Sequence, residues 1–154
     1  ILDIFLPEVT SVEDNAISQY IELVSVSLPK ATTFGTRAIQ SCRNLKSVSL
    51  PEATTFGDDV FQLCRNLKSV SLPKATKFGI NAFSACLELV SVSLPKATTF
   101  GNDAFDDCYR LNETGDSVFA KTITITGAGT LGDFVGTSLG RTAATFANGR
   151  IIFN

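Results

Sequence analysis

The sequence has no histidine, no methionine and no tryptophan among its 154 residues. Without histidine, the usual base for a nucleophilic serine and a common zinc ligand are both missing, which disfavours hydrolytic and zinc chemistry. There is no apolar run of eighteen residues, so no membrane insertion is predicted. The net charge is −2, so no basic excess indicates a nucleic-acid partner. We therefore expect no enzymatic activity and no cofactor.

Proline and cysteine are scarce, and all of them fall on one repeat. The chain has five prolines and four cysteines, and each series advances by 22 residues. The positions are Pro7, Pro29, Pro51, Pro73 and Pro95, and Cys42, Cys64, Cys86 and Cys108. A fixed period of roughly 20 to 50 residues is typical of a solenoid, in which each unit packs on its neighbours. A chain that begins in mid-repeat without methionine is expected to be a mature or excised fragment.

The first part of the repeat, taken at residues 43–64, reads as a strand with a defined end. Val48 and Leu50 alternate with serines, which is the period of a strand with one buried face. Pro51 follows and lacks the amide that would extend the hydrogen-bonded ladder. The sequence therefore predicts one short strand per coil, with serine side chains pointing outward.

The second part of the repeat reads as a turn followed by a short helix. A second short extended piece ends at Phe56, and Gly57 is expected to adopt the positive φ of a sharp turn. Asp58 then occupies the place of a helix N-cap, ahead of apolar residues and Cys64 on one helical face. Thr36 and Asn102 hold the same place in other copies.

Stacking of the coils is expected to form the core, because one unit buries too little apolar surface to fold alone. The aligned copies form two ladders, Phe34, Phe56, Phe78 and Phe100, and Ile39, Phe61, Phe83 and Phe105. The cysteines form a further column. We expect them to be buried, reduced packing residues on a helical side where the coils are more widely spaced.

A family resemblance rests on these motifs. Leu-x-x-Val-x-Leu followed by Pro, then Phe-Gly, then Ala-Phe-x-x-Cys, as in residues 82–86, resembles the leucine-rich repeats of the BspA-like bacterial surface proteins. Glu13 and Tyr20 replace the glycine and cysteine in the first copy, which fits a terminal coil. The predicted fold is an α/β leucine-rich-repeat solenoid, right-handed by the crossover rule, with one parallel sheet face, short helical turns opposite, and degenerate terminal coils.

The repeat pattern breaks after Leu111, and we divide the single domain there. Residues 1–111 are the predicted solenoid, and 112–154 a degenerate C-terminal coil and capping region. The break is read as a loop from Asn112 to Val118, followed by a degenerate coil over 119–139. Ile123 and Ile125 are set against Val48 and Leu50, which aligns Leu131-Gly132-Asp133 with Phe56-Gly57-Asp58 and Val135 with Val60. Residues 151–153 are predicted to be a last strand beside this coil.

Acidic pairs offer little support for catalysis. Asp58-Asp59 and Asp106-Asp107 are expected in turns or on a solvated helical face, where adjacent carboxylates do not converge on one point. The cysteine spacing of 22 is unlike that of a metal knuckle, so no metal site is predicted.

The outward positions of the strands form two serine ladders. These are Ser25, Ser47, Ser69 and Ser91, and Ser27, Ser49, Ser71 and Ser93. One interpretation is that small hydroxyls suit a flat sheet and are copied with the repeat. The other is that this polar, uncharged face docks a partner through hydroxyl hydrogen bonds.

Beside the serines, the two middle coils carry a basic cluster of Arg43, Lys46, Arg65 and Lys68. The same columns hold Ile21, Val24, Leu87, Val90 and Tyr109 in other coils. A positive centre flanked by apolar residues could receive an acidic protein segment or an anionic glycan. It could also be a solvated edge that needs no partner.

These observations predict a non-catalytic protein-binding or adhesion module of a secreted or cell-surface bacterial protein, binding through the strand-side face and its rim. Host or matrix proteins are the partners that the family resemblance implies. Two alternatives stay open, a purely structural spacer and a carbohydrate-binding module, for which Tyr20 and Tyr109 are the available tyrosine platforms. The oligomeric state is open.

Overall fold

A computed structural model describes residues 2–111, 113, 116–120, 122–126, 143–147 and 150–153 of the protein. These residues contain short strands and no helix. The strands are β1 (Leu2–Phe5), β2 (Ser11–Val12), β3 (Leu23–Ser27), β4 (Thr33–Phe34), β5 (Ser47–Ser49), β6 (Thr55–Phe56), β7 (Ser69–Ser71), β8 (Lys77–Phe78), β9 (Ser91–Leu94), β10 (Thr99–Gly101), β11 (Val118–Phe119), β12 (Thr122–Thr126), β13 (Ala143–Ala147) and β14 (Arg150–Phe153). They form a parallel-strand β-solenoid of about five turns.

Each coil contributes one strand to each of two sheet faces. On the first face, the serine strands pair in parallel in the orders β1-β3-β5 and β7-β9-β11. On the second face, β2, β4, β6, β8, β10 and β12 form one continuous sheet, which β14 and β13 extend in antiparallel pairing. Ser25 pairs with Ser47 and Phe34 with Phe56, so the predicted period is confirmed on both faces. The expectation of a single sheet face was wrong, because the short piece ending at Phe56 pairs across every coil.

The predicted short helices are not formed in the described coils. In their place, alternate amides donate to carbonyls of the next coil, as from Asp59 N to Ile80 O (2.8 Å) and from Phe61 N to Ala82 O (2.8 Å). Asp59 and Leu63 have φ values of 56° and 62°, which a right-handed helix does not allow. The α/β prediction with helical turns is therefore replaced by a solenoid of strands and turns.

The spacing of the coils explains why helices do not form. Stacked rings lie 4.8 to 5.1 Å apart in the Phe34 ladder and 5.1 to 5.2 Å apart in the ladder from Phe61 to Phe105. Packed helices need about 8 to 10 Å between their axes. The coils are thus equally close on both sides, and the wider spacing expected beside the cysteines was wrong. The right-handed winding stays a prediction.

The turn residues have structural roles that differ from the predicted ones. Asp58 does not cap a helix, since its Oδ1 accepts a hydrogen bond from Ile80 N in the next coil at 2.8 Å. Gly57 has no positive φ, and its lack of a side chain allows close approach. A Cβ there would lie 2.7 Å from Gly35 C and from Thr36 N. Glycine is needed because neighbouring coils touch at this corner.

The core is a set of buried columns, as predicted. The Phe34 ladder also contacts the Phe61 ladder, with ring centroids 5.7 Å apart between Phe56 and Phe61. All four cysteines are buried and free. The Cys42 thiol donates to Ile17 O at 3.1 Å, and each later cysteine makes the equivalent bond 25 residues back. Burial raises the pKa of Cys42 to about 11, so this thiol stays protonated at neutral pH.

The C-terminal register differs from the predicted one. Val118 pairs with Ser93, so β11 occupies the serine-strand position and the predicted loop ends before Val118. Ile125 pairs with Phe100 on the second face, and the alignment of Ile123 and Ile125 with Val48 and Leu50 was wrong. The offset is 25 residues in place of 22, because three extra residues precede β11.

The last predicted strand is present, since β14 lies antiparallel to β12 with Ile152 opposite Thr122. The predicted alignment of Leu131-Gly132-Asp133 and Val135 lies outside the described residues. The assignment of 112–154 to the same domain stays a proposal. No helix in the described part of the chain is long and apolar enough to cross a membrane.

Candidate binding surface

The serine face consists of the outward serines of β3, β5, β7 and β9. In β7, Val70 points into the core while Ser69 and Ser71 are exposed, as the alternation predicts. Ser47 and Ser49 are likewise exposed, whereas Ser91 and Ser93 are partly buried. Within the described part of the chain, these six hydroxyls have no protein hydrogen-bond partner. They are therefore available to an external acceptor or donor.

The basic cluster is formed as predicted, because equal positions of the two middle coils lie side by side. Arg43, Lys46, Arg65 and Lys68 are all exposed, and none forms an ion pair with a described residue. Several cations elsewhere on the surface form such pairs, although Lys77 and Lys96 do not pair with a described residue. Lys30 lies 3.0 Å from Glu8, Lys74 lies 2.6 Å from Glu52, and Arg110 lies 2.6 Å from Glu88. The cluster is thus a local excess of positive charge.

The residues between the arginine and lysine columns explain this excess. Glu22 and Glu88 occupy the intervening column in the flanking coils, but Asn44 and Asn66 replace them in the two middle coils. The Asn44 amide donates to Ile21 O at 2.7 Å, and the Asn66 amide donates to Asn44 Oδ1 at 3.3 Å. Neutral side chains therefore stand where acidic ones would neutralise the cluster.

The first sheet face is interrupted at the cluster, a feature that the sequence did not reveal. Strands β5 and β7 are not paired, and we call this step the seam. Lys46 N donates to Val24 O at 2.8 Å before the seam, and Val90 N donates to Lys68 O at 2.9 Å after it. The equivalent bond from Lys68 N to Lys46 O is not formed between these described residues. Lys46 and Lys68 occupy equal positions on the two sides of the seam, and like charges that face each other across neighbouring strands disfavour pairing.

Apolar side chains border the cluster along the axis of the solenoid. Ile21 is 55% exposed and Tyr109 is 70% exposed, and both lie in the column of Arg43 and Arg65. Leu87, in the same column, is partly buried. The Tyr109 hydroxyl donates to Asp107 Oδ1 at 2.8 Å, and this bond raises the tyrosine pKa. The predicted apolar flank is therefore accessible at Ile21 and Tyr109 and partly covered at Leu87.

The predicted binding residues fall into two groups. Ser47 and Ser69 each follow a cluster lysine by one residue, whereas Ser49 and Ser71 lie at the far ends of the same two strands. Ser91 and Ser93 lie one coil beyond the cluster, where Ser69 pairs with Ser91 and Ser71 with Ser93. The cluster and its adjacent serines form the centre of the surface.

The acidic pairs have structural roles. Asp58 bonds to the next coil, and Asp59 Oδ2 lies 3.6 Å from Arg37 Nε. Burial, with the nearby Asp107 and Asp103 carboxylates, raises the pKa of Asp106. In the described part of the chain no group of three or more histidine, cysteine or acidic residues is arranged to hold a metal ion. The geometry thus offers recognition by charge and hydrogen bonds.

Comparison with known families identifies the repeat. Residues 1–112 match the family described as BspA type leucine rich repeat region, in six copies. The chain belongs to this family. The resemblance to BspA-type repeats noted in the sequence is thereby confirmed, with nearly the same boundary.

Two solved structures are similar to this BspA-type chain. The crystal structure of the T. pallidum leucine-rich repeat protein matches with a TM-score of 0.65 at 32% identity, covering 67% of this chain and 50% of that chain. A leucine-rich cell surface protein from Faecalibacterium prausnitzii matches with a TM-score of 0.47 at 19% identity, covering 82% and 48% of the two chains. The BspA-type chain spans about half the length of both proteins. It matches no curated protein.

Proposed function

We propose that this BspA-type chain is a non-catalytic protein-binding module, with adhesion as its role and the basic cluster and serine face as its binding surface. The observation that carries the proposal is the concentration, on one face, of four cations without ion-pair partners among the described residues, whereas Lys30, Arg37, Lys74 and Arg110 are paired. Six hydroxyls without protein partners lie on the same face. A secreted or cell-surface location in a bacterium is proposed from the family resemblance.

Charge at such a surface acts mainly on recognition. Exposed cations attract an acidic partner over several ångströms, raise its association rate and disfavour basic partners. Hydroxyls beside them can complete the hydrogen bonding once water is displaced. We therefore propose a protein partner with an acidic surface or segment, which includes host and matrix proteins.

The proposal is tested by capture of extracellular matrix and serum proteins on three immobilised chains. These are the parent, the Lys46→Glu/Lys68→Glu variant, and the Lys77→Glu/Lys96→Glu variant as control. Both double substitutions lower the net charge of −2 by four, but Lys77 and Lys96 lie outside the cluster. All four lysines are exposed, so neither variant should lose much stability.

We expect at least one protein to be retained by the parent and the control, lost from the cluster variant, and released by salt. Retention of the same proteins by all three chains would remove the cluster from the binding surface. Failure of the parent to retain any protein would contradict the binding function and favour a structural spacer.

A further inference from the structure

We infer that the basic cluster recognises an extended protein segment in which two adjacent acidic residues are flanked by apolar residues. The inference rests on the proposed binding function and specifies the partner of the same surface. The segment would run along the axis of the solenoid, across the coils. It would place its acidic side chains over the middle coils and its apolar side chains over the coils on either side.

The order of residues along one surface column indicates the order of side chains in the ligand. From coil to coil, this column reads Ile21, Arg43, Arg65, Leu87, Tyr109. Beside it, the lysine column follows the same order, with Val24, Lys46, Lys68 and Val90. Both columns are basic in the two middle coils and apolar in the flanking coils. A ligand that follows the axis therefore meets apolar, positive, positive and apolar surface in turn.

The spacing of the coils fixes the spacing of the ligand side chains. Neighbouring coils are 4.8 to 5.2 Å apart by their stacked rings. An extended peptide advances about 3.3 Å per residue. One coil step therefore matches one to two ligand residues. Because successive side chains of an extended segment point to opposite sides, two adjacent acids would reach the arginine column on one side and the lysine column on the other. Three steps, from Ile21 to Leu87, match about five ligand residues, which places one spacer residue between each acid and its apolar neighbour.

The charges beyond the cluster favour such a segment over a uniform polyanion. Glu22 and Glu88 lie in the coils immediately before and after the two middle coils. Glu88 shares the Arg110 guanidinium with Glu113, so this group of three keeps a net negative charge. A sulfated glycan running along the axis would bring its outer anionic groups close to these glutamates, which is unfavourable. A segment whose charge is confined to two residues avoids them and covers Ile21 and Leu87 with apolar groups. Charge complementarity therefore selects a short acidic motif with apolar ends.

The test uses a fluorescent peptide of the order leucine, glycine, glutamate, glutamate, glycine, leucine, titrated by anisotropy with each of the three chains. One control peptide has glutamine in place of both glutamates, and a second has serine in place of both leucines. A heparin-derived oligosaccharide, labelled in the same way, represents the glycan. The parent and the Lys77→Glu/Lys96→Glu chain should bind the first peptide equally.

We expect the Lys46→Glu/Lys68→Glu chain to bind the first peptide at least about tenfold more weakly, because it repels the glutamates. The parent chain should bind the serine peptide about tenfold more weakly than the first peptide, because the leucine side chains are missing. The inference would be overturned if the parent chain bound the glutamine peptide as tightly as the first peptide. It would also be overturned if all three chains bound the first peptide with equal affinity. Binding of the oligosaccharide without binding of the peptide would likewise overturn it.

The two proposals fail in different ways. Capture of matrix proteins through the cluster, without peptide binding, would overturn this inference and leave the binding function in place. Cluster-dependent peptide binding without any captured protein would support the motif and contradict the proposed adhesion to matrix and serum proteins.

Discussion

Replacement of Phe56 by alanine tests the stacked core of the solenoid. The Phe56 ring is 3% exposed and lies between two parallel rings, with centroids 4.9 Å from Phe34 and 4.8 Å from Phe78. Truncation of a buried phenylalanine costs about 3 to 5 kcal/mol. Because each ring pair adds about 0.5 to 1.5 kcal/mol, we expect the upper part of that range. The loss would lower the melting temperature by roughly 8 to 20 °C.

The measurement is urea unfolding followed by circular dichroism, with two companion variants. Phe56→Leu keeps most of the apolar volume and loses the ring pairs, so it should cost about 1 to 2 kcal/mol. Phe34→Ala removes a ring that stacks on one described neighbour, and it should cost about 1 kcal/mol less than Phe56→Ala.

A loss below about 1 kcal/mol for Phe56→Ala would refute the reasoning, because such a value is typical of an exposed residue. Equal losses for Phe34→Ala and Phe56→Ala would contradict the contribution assigned to stacking. Phe56→Leu remains informative if Phe56→Ala does not fold, since the total stability of a domain is only about 5 to 15 kcal/mol.

Three further predictions concern the seam, the turns and the buried thiols. Lys68→Glu alone should raise the melting temperature by about 1 to 3 °C, because it replaces two positive charges across the seam with a positive and a negative charge. A lower melting temperature would contradict repulsion between Lys46 and Lys68. Ala85→Gly should be neutral or stabilising by up to about 1 kcal/mol, because Ala85 has φ 58°, a backbone conformation that favours glycine. Ala82→Gly in the core should instead cost about 1 to 2 kcal/mol, and equal losses of the two variants in urea unfolding would contradict this prediction. Burial raises the pKa of the Cys64 thiol above the unfolded value of 9.0. The contribution of this thiol to folding stability is therefore complete below pH 9 and falls by about 1.4 kcal/mol per pH unit above it. Cys64→Ala should weaken the pH dependence of the urea midpoint above pH 9, and an unchanged dependence would refute the burial effect.

The columns could be predicted from the sequence because the period alone decides which residues become neighbours. Phe34, Phe56 and Phe78 stack whatever path the chain takes between them, provided that each coil has 22 residues. The same reasoning located Lys46 beside Lys68 and the serines on one face. Such predictions need no knowledge of the backbone between the repeated positions.

The backbone path could not be predicted in the same way, because it depends on coil spacing. Gly57 and Asp58 form a local pattern typical of a turn and a helix N-cap, but a spacing near 5 Å leaves no room for packed helices. Nothing in the residue type of Leu63 or Ala85 signals a positive φ. At the C-terminus, the alternating Thr122–Thr126 pattern fits either face, and only the pairing of Val118 with Ser93 reveals the three-residue insertion.

The seam escaped prediction for a related reason. The sequence shows that Lys46 and Lys68 share a column, but it does not show whether their backbones pair. That outcome depends on the balance between a backbone hydrogen bond and the repulsion of like charges across one step. The candidate surface was thus predicted in composition, while its interrupted sheet was found only in the structure.

The most direct test of the binding account is backbone amide exchange of the parent chain, with and without a protein that it captures. Binding at the basic cluster and serine face should slow exchange in residues 43–50 and 65–72 and leave 54–57 and 76–79, on the opposite sheet, unchanged. Slower exchange confined to the opposite sheet would contradict the account, because the partner would then bind the threonine-lined face and the unpaired cations would have no part in recognition.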